Sequence, residues 1–178
     1  MKIINTKFKG LKIIKQDNFK DKRGSLRVIH NEKIIRKENF VFEYCTNSKK
    51  NSLRGFHFQY KYQQAKYVNV IKGRILDCVI DLRKKSETYG KYFKIILSDK
   101  NNLSLYIPEG FAHAYYSYEN ENIIYYKLNN YYKPKYEDGI NALDIKLKIK
   151  WPGKIYLISK KDKKLQSLNN FKNKYKHL

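Results

Sequence analysis

The chain has 178 residues, 42% of them hydrophobic, and a formal net charge of +23. This length allows a sizeable core, and no run approaches the ~18 consecutive apolar residues that a membrane-spanning helix requires. The first residues contain no long apolar segment and no small-residue cleavage site, so we expect a cytoplasmic protein.

The basic residues are spread along the whole chain. Only six of the 39 are arginines, and the lysines run from end to end. Nucleic-acid-binding proteins gain affinity from clustered cations that release counterions, so this distribution argues against a nucleic-acid partner. Cys45 and Cys78 lack CxxC spacing and lie in strand-like segments, which predicts buried thiols rather than a disulfide framework or a zinc site.

Short strands separated by polar turns follow one another along the chain. The sequence predicts a polar turn over 17–24 and strands over 11–14, 40–45, 66–71, 74–82, 92–97, 103–107 and 123–128. Gly73 between two of these strands predicts a hairpin. No long amphipathic helix occurs before residue 160, and the polar tail 163–178 is expected to be a short helix or disordered. This pattern is typical of one all-β domain, a sandwich or barrel, over residues 1–178.

Residues 51–59 place a histidine and an arginine in an apolar, aromatic segment. Histidine can exchange protons near neutral pH, and arginine presents a planar fork suited to phosphate or carboxylate. Strict strand alternation would put His57 and Arg54 on opposite faces, so we expect a β-bulge at Gly55. A histidine packed in the core is an equally good interpretation of this segment alone.

The next two predicted strands carry charged side chains among apolar ones. Lys66 shares a strand face with Val68 and Val70, so its ammonium either points into a cavity or lies at a sheet edge. Asp77 and Asp81 lie on one face of a largely apolar strand, for which we favour structural pairing.

Residues 108–113 have the PxGxxH spacing found in the second motif of cupins, in which the histidine points into a β-barrel. Metal-binding cupins usually carry an HxH pair and a glutamate in the first motif, whereas this chain has only His57 there. Because a metal centre usually needs three or four protein ligands, a site without metal is the better interpretation.

The full set of motifs resembles the nucleoside-diphosphate 4-keto-sugar 3,5-epimerases, the dTDP-4-dehydrorhamnose 3,5-epimerase-like cupins that include GDP-4-keto-heptose epimerases. The matches lie between residues 21 and 162, at 21–24, 53–59, 64–66, 73, 77, 81–83, 86–90, 107–113, 126–127, 131–132, 151–152 and 159–162. The resemblance implies a cupin double-stranded β-helix, or jelly-roll barrel, with short peripheral helices, a homodimer, and no cofactor.

The resemblance also implies roles for individual residues. His57 would remove the proton next to the ketone, Asp162 would orient its imidazole, Lys66 would stabilise the enolate oxygen, and Tyr126 would return a proton on the other face. The residues implied in binding the nucleotide sugar are Arg23, Arg54, Gln59, His113, Tyr132, Glu137 and Lys161.

Departures from the family pattern concern the nucleotide. Val28, Phe42 and Tyr44 replace the glutamate, glutamine and asparagine of dTDP enzymes, and Ala114 and 142–144 also differ. We therefore expect a GDP-linked 4-keto heptose, used in capsule or other surface polysaccharide synthesis, rather than a dTDP-linked hexose. The alternatives are a 3,4-ketoisomerase on the same fold and a sugar-nucleotide-binding cupin without activity.

Overall fold

The computed structural model describes residues 1–35, 38–153 and 157–175. Its strands are β1 (Lys2–Asn5), β2 (Lys12–Lys15), β3 (Asn18–Asp21), β4 (Gly24–Arg27), β5 (Phe42–Ser48), β6 (Leu53–Gln59), β7 (Lys66–Lys72), β8 (Arg74–Asp81), β9 (Tyr92–Ser98), β10 (Leu103–Ile107), β11 (Phe111–Ser117), β12 (Asn122–Leu128) and β13 (Glu137–Gly139). The α-helices are α1 (Lys160–Lys163) and α2 (Leu168–Lys174), and single 3-10 turns lie at Glu32–Ile34, Pro134–Tyr136 and Ile145–Leu147.

Two antiparallel sheets form the barrel. The six-stranded sheet has the order β1-β2-β10-β7-β12-β5, and the five-stranded sheet has the order β13-β6-β11-β8-β9. Strands β3 and β4 form a separate two-stranded hairpin. Most successive strands from β5 onward pass from one sheet to the other, as in a jelly roll, which confirms the predicted all-β cupin-type fold with short peripheral helices.

Both faces of the five-stranded sheet are buried. One face packs against the six-stranded sheet, where Val68 of β7 shares a hydrophobic cluster with Val79 of β8. The other face packs under α2, whose Phe171 contacts Phe58 of β6 with ring centroids 5.3 Å apart. Strands β8 and β11 are almost continuously buried for this reason, and side chains on β6 alternate between the barrel interior and this outer layer.

The predicted hairpin of residues 66–82 is wrong. Strand β7 belongs to the six-stranded sheet and β8 to the five-stranded sheet, so Gly73 turns the chain between sheets rather than within one. Gly73 has φ +87°, and a Cβ there would lie 2.5 Å from the carbonyl oxygen of Glu121. A glycine turn between two apolar strands fits both arrangements, because the pattern does not specify which strand pairs with which.

The remaining strands, the two cysteines and the C-terminal tail agree only in part with the sequence predictions. Strands β9, β10 and β12 match their predicted segments, whereas the predicted turn 17–24 contains strand β3 and the first residue of β4. Cys78 is buried as expected, but Cys45 is exposed because its side chain points away from the barrel. In the tail, helix α2 packs on the core, and residues 176–178 lie outside the described residues. No helix in the described part of the chain is long and apolar enough to cross a membrane.

Candidate active site

A cavity of about 520 Å³, here called the larger cavity, lies between the two sheets. A second cavity of about 330 Å³, the smaller cavity, shares Tyr44, His57 and Lys66 with it. The larger cavity is lined by Tyr44, Thr46, Ser52, Leu53, Arg54, His57, Lys66, His113, Tyr115, Tyr126, Leu157, Ile158, Ser159, Lys161 and Asp162. The remaining residues of the smaller cavity are Phe42, Phe58, Gln59, Gln64, Tyr132 and Glu137.

A β-bulge in β6 brings Arg54 and His57 to the same cavity. His113 of β11 pairs with His57, and Tyr115 pairs with Arg54, so β6 contains one residue more than β11 over this interval. The predicted bulge is therefore confirmed. Gly55 has φ +105°, and a Cβ there would lie 2.4 Å from the carbonyl oxygen of His113, so the close approach of the two strands requires glycine.

His57 is held by a carboxylate. Its Nε2 lies 2.8 Å from Oδ1 of Asp162, whose Oδ2 accepts the N–H of Gly55 at 3.2 Å. Asp162 lies in the first turn of α1, which begins after the N-cap Ser159. Burial alone would raise the pKa of Asp162, but its hydrogen bond and charge interaction with His57 lower it below the ordinary value. The ionised carboxylate can only accept, so Nε2–H donates and Nδ1 keeps a free lone pair.

Lys66 is buried at the start of β7 and lines both cavities. Burial lowers its pKa to about 8, although the nearby carboxylates of Glu137 and Asp77 raise it in part. The side chain of Lys66 therefore points into the cavity and does not lie at a sheet edge. An ammonium in this setting interacts strongly with a negative oxygen, because little water screens it.

Tyr126 and His113 lie deeper in the same cavity. Tyr126 on β12 stacks on Tyr44 with ring centroids 4.8 Å apart, and burial, followed by the neighbouring Tyr115 and Tyr44, raises its pKa well above the ordinary value. Nε2 of His113 lies 2.7 Å from Oδ2 of the buried Asp77. The expected structural pairing of Asp77 is therefore present, and its partner lines the cavity.

The side chains of the cavity come from opposite walls. His57 and His113 project from β6 and β11 of the five-stranded sheet, whereas Lys66 and Tyr126 project from β7 and β12 of the six-stranded sheet. Tyr126 pairs with Val68, two residues from Lys66, so the phenol and the ammonium are close neighbours on one wall. A group bound between the walls therefore meets His57 on one side and Tyr126 on the other.

Most residues expected to bind substrate also lie here. Glu137 accepts a hydrogen bond from the hydroxyl of Tyr132 at 2.7 Å and forms an ion pair with Lys161. Burial would raise the pKa of Glu137, but its hydrogen bonds from Lys161 and Tyr132 lower it. Gln59 lines the smaller cavity, where its amide joins β6 to the loop after β12 by donating to the carbonyl of Tyr131 at 3.3 Å.

Arg23 does not line either cavity of its own chain. It lies in the turn between β3 and β4, where its side chain is 91% exposed and its Nη2 lies 2.6 Å from Oδ2 of Asp21. The structure therefore does not bring Arg23 together with the other expected site residues within a single chain.

Thr46 and Tyr115, which line the larger cavity, and Ser48 beside Tyr115 did not emerge as site candidates from the sequence. Tyr44, Thr46 and Ser48 lie on the inner face of β5, which extends to Ser48 although the predicted strand ended at residue 45. Tyr115 lies two residues after His113 on β11. Period-two spacing from Phe42 and from His113 is the signal that indicates these inward-facing positions.

The departures from the family pattern fall into two groups. Phe42 and Tyr44 line the smaller cavity. Ala114 and Ala142 belong to the outer hydrophobic cluster and line neither cavity. Within the described residues, no group of three or more His, Cys, Asp or Glu side chains is arranged to hold a metal ion.

Comparisons with known proteins identify the family of the chain. The family model described as dTDP-4-dehydrorhamnose 3,5-epimerase matches residues 5–170. The enzyme of that name from Methanothermobacter thermautotrophicus is 37% identical over 174 residues, which cover 94% of each chain. The chain belongs to the dTDP-4-dehydrorhamnose 3,5-epimerase family.

Solved structures of the family have the same fold. The dTDP-4-dehydrorhamnose 3,5-epimerase of Elizabethkingia anophelis NUHP1 superposes with a TM-score of 0.89 at 33% identity, covering 96% of this chain and 97% of that one. A 3,5-epimerase from Legionella pneumophila, solved with dTDP-4-keto-L-rhamnose, gives 0.90 at 36% identity over 94% and 93%. This chain is thus an isomerase-class epimerase of the dTDP-4-dehydrorhamnose 3,5-epimerase family. The expected preference for a GDP-linked heptose in capsule synthesis finds no support in these relatives, whose named nucleotide is dTDP.

Proposed function

We propose that the protein epimerises a dTDP-linked 4-keto-6-deoxyhexose at C3 and C5 through an enolate intermediate. The observation that carries this proposal is the placement of His57 and Tyr126 on opposite walls of one cavity, with Lys66 beside Tyr126. Inversion at a carbon requires a proton to leave on one face and return on the other, which these positions permit.

Each step uses a group in the cavity. Nδ1 of His57 takes the proton from the carbon next to the C4 ketone, and the C–H electrons move onto the C4 oxygen. The ammonium of Lys66 stabilises that oxygen, and one such contact is worth about 3 kcal/mol or more. The Tyr126 hydroxyl then gives its proton to the opposite face of the same carbon, which restores the ketone.

The dTDP assignment is tested with a panel of dTDP- and GDP-linked 4-keto sugars in deuterium oxide, with products identified by NMR. We expect deuterium at C3 and C5 of the dTDP-linked hexose and inverted configuration at both carbons. Faster turnover of a GDP-linked heptose would contradict the nucleotide assignment, and label at C3 alone would limit the activity to that carbon. A carbonyl found at C3 would indicate a ketoisomerase, and no exchange would indicate a binding protein.

A His57→Asn variant provides the control in this experiment, since it keeps a polar side chain of similar width but has no base. Its exchange rate should fall at least a hundredfold. Exchange at the wild-type rate would contradict the role of His57.

We further propose that residues 1–178 act as one epimerase domain in a cytoplasmic homodimer. Phe19 and Leu26 of the β3–β4 hairpin are 62% and 64% exposed, which suits a surface covered by a second copy. Arg23 at the tip of that hairpin would then bind substrate in the partner's cavity, because it lines neither cavity of its own chain.

A further inference from the structure

The guanidinium of Arg54, which lines the larger cavity, is tethered by a hydroxyl group of the opposite sheet. Nε of Arg54 on β6 donates to Oγ of Ser48 at 3.0 Å, and Nη2 lies 3.5 Å from the carbonyl oxygen of Asn47. Ser48 is 1% exposed and is the last residue of β5, where the side-chain amide of Asn122 donates to its carbonyl at 2.9 Å. The acceptor that holds Nε therefore has a fixed position beside the cavity.

A second hydroxyl group holds Ser48 in turn. The phenol oxygen of Tyr115 lies 2.9 Å from Oγ of Ser48 and 3.0 Å from Oγ1 of Thr46. Tyr115 is 4% exposed and pairs with Arg54 across β11 and β6, so one strand pair carries both the guanidinium and the phenol that supports its tether. A serine hydroxyl can accept two hydrogen bonds, or accept one and donate one, so Ser48 makes both contacts whichever of the two hydroxyls donates to the other.

The tether leaves the positive charge of Arg54 available to a ligand. Arg23, Arg74 and Arg83 each form an ion pair with a carboxylate. Arg54 forms no ion pair within the described residues, and its orienting partner is the neutral hydroxyl of Ser48. Because Ser48 uses Nε–H, N–H groups on both Nη1 and Nη2 remain for an anion. Two such donors in one plane match a phosphate group, which predicts a diphosphate as the ligand of this fork.

We propose that Ser48, supported by Tyr115, is a positioning residue that orients the Arg54 fork toward the diphosphate of the bound nucleotide sugar. This inference rests on the proposed function. An untethered arginine loses side-chain rotations when it binds an anion, and a tether in the free enzyme removes part of this entropy cost before the substrate arrives. The benefit therefore appears as affinity and not as a faster chemical step, and it does not depend on the nucleotide base.

The test measures binding of dTDP and of inorganic pyrophosphate by calorimetry, together with turnover of the dTDP-linked 4-keto hexose. Ser48→Ala removes the tether and should raise the Kd of both ligands and the KM of the substrate about tenfold, with kcat within about twofold of the wild type. Tyr115→Phe keeps the tether but removes the group that holds it, so the same constants should rise about threefold. Tyr115→Phe carries the test if Ser48→Ala fails to fold.

A double variant distinguishes positioning of Arg54 from general support of the cavity. Arg54→Ala should raise the Kd of dTDP about a hundredfold. In that background Ser48→Ala should change the Kd less than about twofold, because Ser48 acts through Arg54. Ser117→Ala is the matched control, since it removes the hydroxyl of another buried serine, one that has no hydrogen-bond partner among the described residues and does not line the cavity. Its Kd for dTDP should equal that of the wild type.

The outcomes separate this inference from the proposed function. Unchanged affinity in Ser48→Ala and Tyr115→Phe would overturn the inference, as would a tenfold loss that persists in the Arg54→Ala background or a loss of kcat with unchanged KM. Wild-type protein that binds dTDP but neither exchanges nor inverts the 4-keto hexose would instead contradict the proposed function, while the Kd values would still test the role of Ser48. Wild-type protein that binds neither dTDP nor pyrophosphate would contradict both.

Discussion

Nε2 of His57 on β6 lies 2.8 Å from Oδ1 of Asp162 on α1, so one hydrogen bond joins a barrel strand to a helix more than 100 residues later. Asp162→Asn keeps the shape but leaves one acceptor oxygen for two donors, Nε2–H of His57 and the N–H of Gly55, so the tautomer of His57 is no longer fixed. We expect kcat to fall by about 10³–10⁴ with little change in KM. Steady-state kinetics with Asp144→Asn as the control, an aspartate outside the cavities, will check this. Activity within tenfold of the wild type would contradict the pairing.

Lys66 is expected to favour activity at the cost of stability. Because burial lowers its pKa to about 8, its charged form is less stable in the folded protein than in the unfolded chain. Lys66→Met should lower kcat about 10²–10³-fold and raise the free energy of unfolding at pH 7 by up to about 3 kcal/mol. Urea denaturation measures the second effect, with the exposed Lys94→Met as the control. Loss of stability in Lys66→Met would contradict this account.

The same shift predicts two pH dependences. In the free enzyme Lys66 loses its proton as the pH rises through about 8, so kcat/KM should fall above that value. The unfolded chain still binds the proton up to about pH 10.4, so the destabilisation by Lys66 is complete below pH 8 and decreases between these values. The stability difference between wild type and Lys66→Met should therefore shrink over this range. A difference that is constant from pH 7 to 10 would be inconsistent with the lowered pKa.

Gly55 is expected to tolerate no side chain. Its φ of +105° disfavours other residues, and a Cβ would also overlap the backbone of β11 at His113 and Ala114. Gly55→Ala should cost at least about 3 kcal/mol of unfolding free energy. Gly24→Ala separates the two causes, because Gly24 has φ +140° but no atom within 4 Å of its Cβ position, and it should cost only about 1 kcal/mol. If the two variants lose the same unfolding free energy, the backbone of β11 moves enough to relieve the overlap at Gly55.

Mixing two inactive variants tests the proposed role of Arg23. Arg23→Ala and His57→Asn are each expected to impair every site of their own homodimers. Unfolded and refolded together, they form mixed dimers in which one cavity has His57 from one chain and Arg23 from the other. About a quarter of the wild-type sites should then be restored. No recovery despite mixed dimers, detected by differently tagged chains, would show that Arg23 does not act across the interface.

Local patterns in the sequence predicted much of the site. The glycine between Arg54 and His57 predicted the bulge, because two polar residues three apart reach one cavity only if the strand contains an extra residue. The PxGxxH motif predicted that His113 points into the barrel, because the turn at Pro108 and Gly110 comes only a few residues before it. Where the residues lie close together in sequence, backbone geometry limits the arrangements.

Contacts between distant strands were harder to predict. The pattern around Gly73 gave two strands and a turn but not their different sheets, because pairing depends on neighbours elsewhere in the chain. The predicted strand stopped at residue 45, before Thr46 and Ser48, because polar residues in an apolar strand are difficult to recognise until the neighbouring strands are known. The sequence does not distinguish the hydroxyl of Tyr115 from those of the other tyrosines, because its partner Ser48 lies 67 residues earlier in the chain.

Strand β5 lies at the edge of the six-stranded sheet, and in the described part of the chain β12 is its one hydrogen-bonded neighbour. It nevertheless supplies Phe42, Tyr44 and Thr46 to the cavities. A change on this strand disturbs one ladder of backbone hydrogen bonds, whereas a change on β7 or β11 disturbs two. Evolution can therefore revise substrate preference on β5 at low risk to folding, while His57, Lys66 and Tyr126 stay on strands that neighbours hold on both sides.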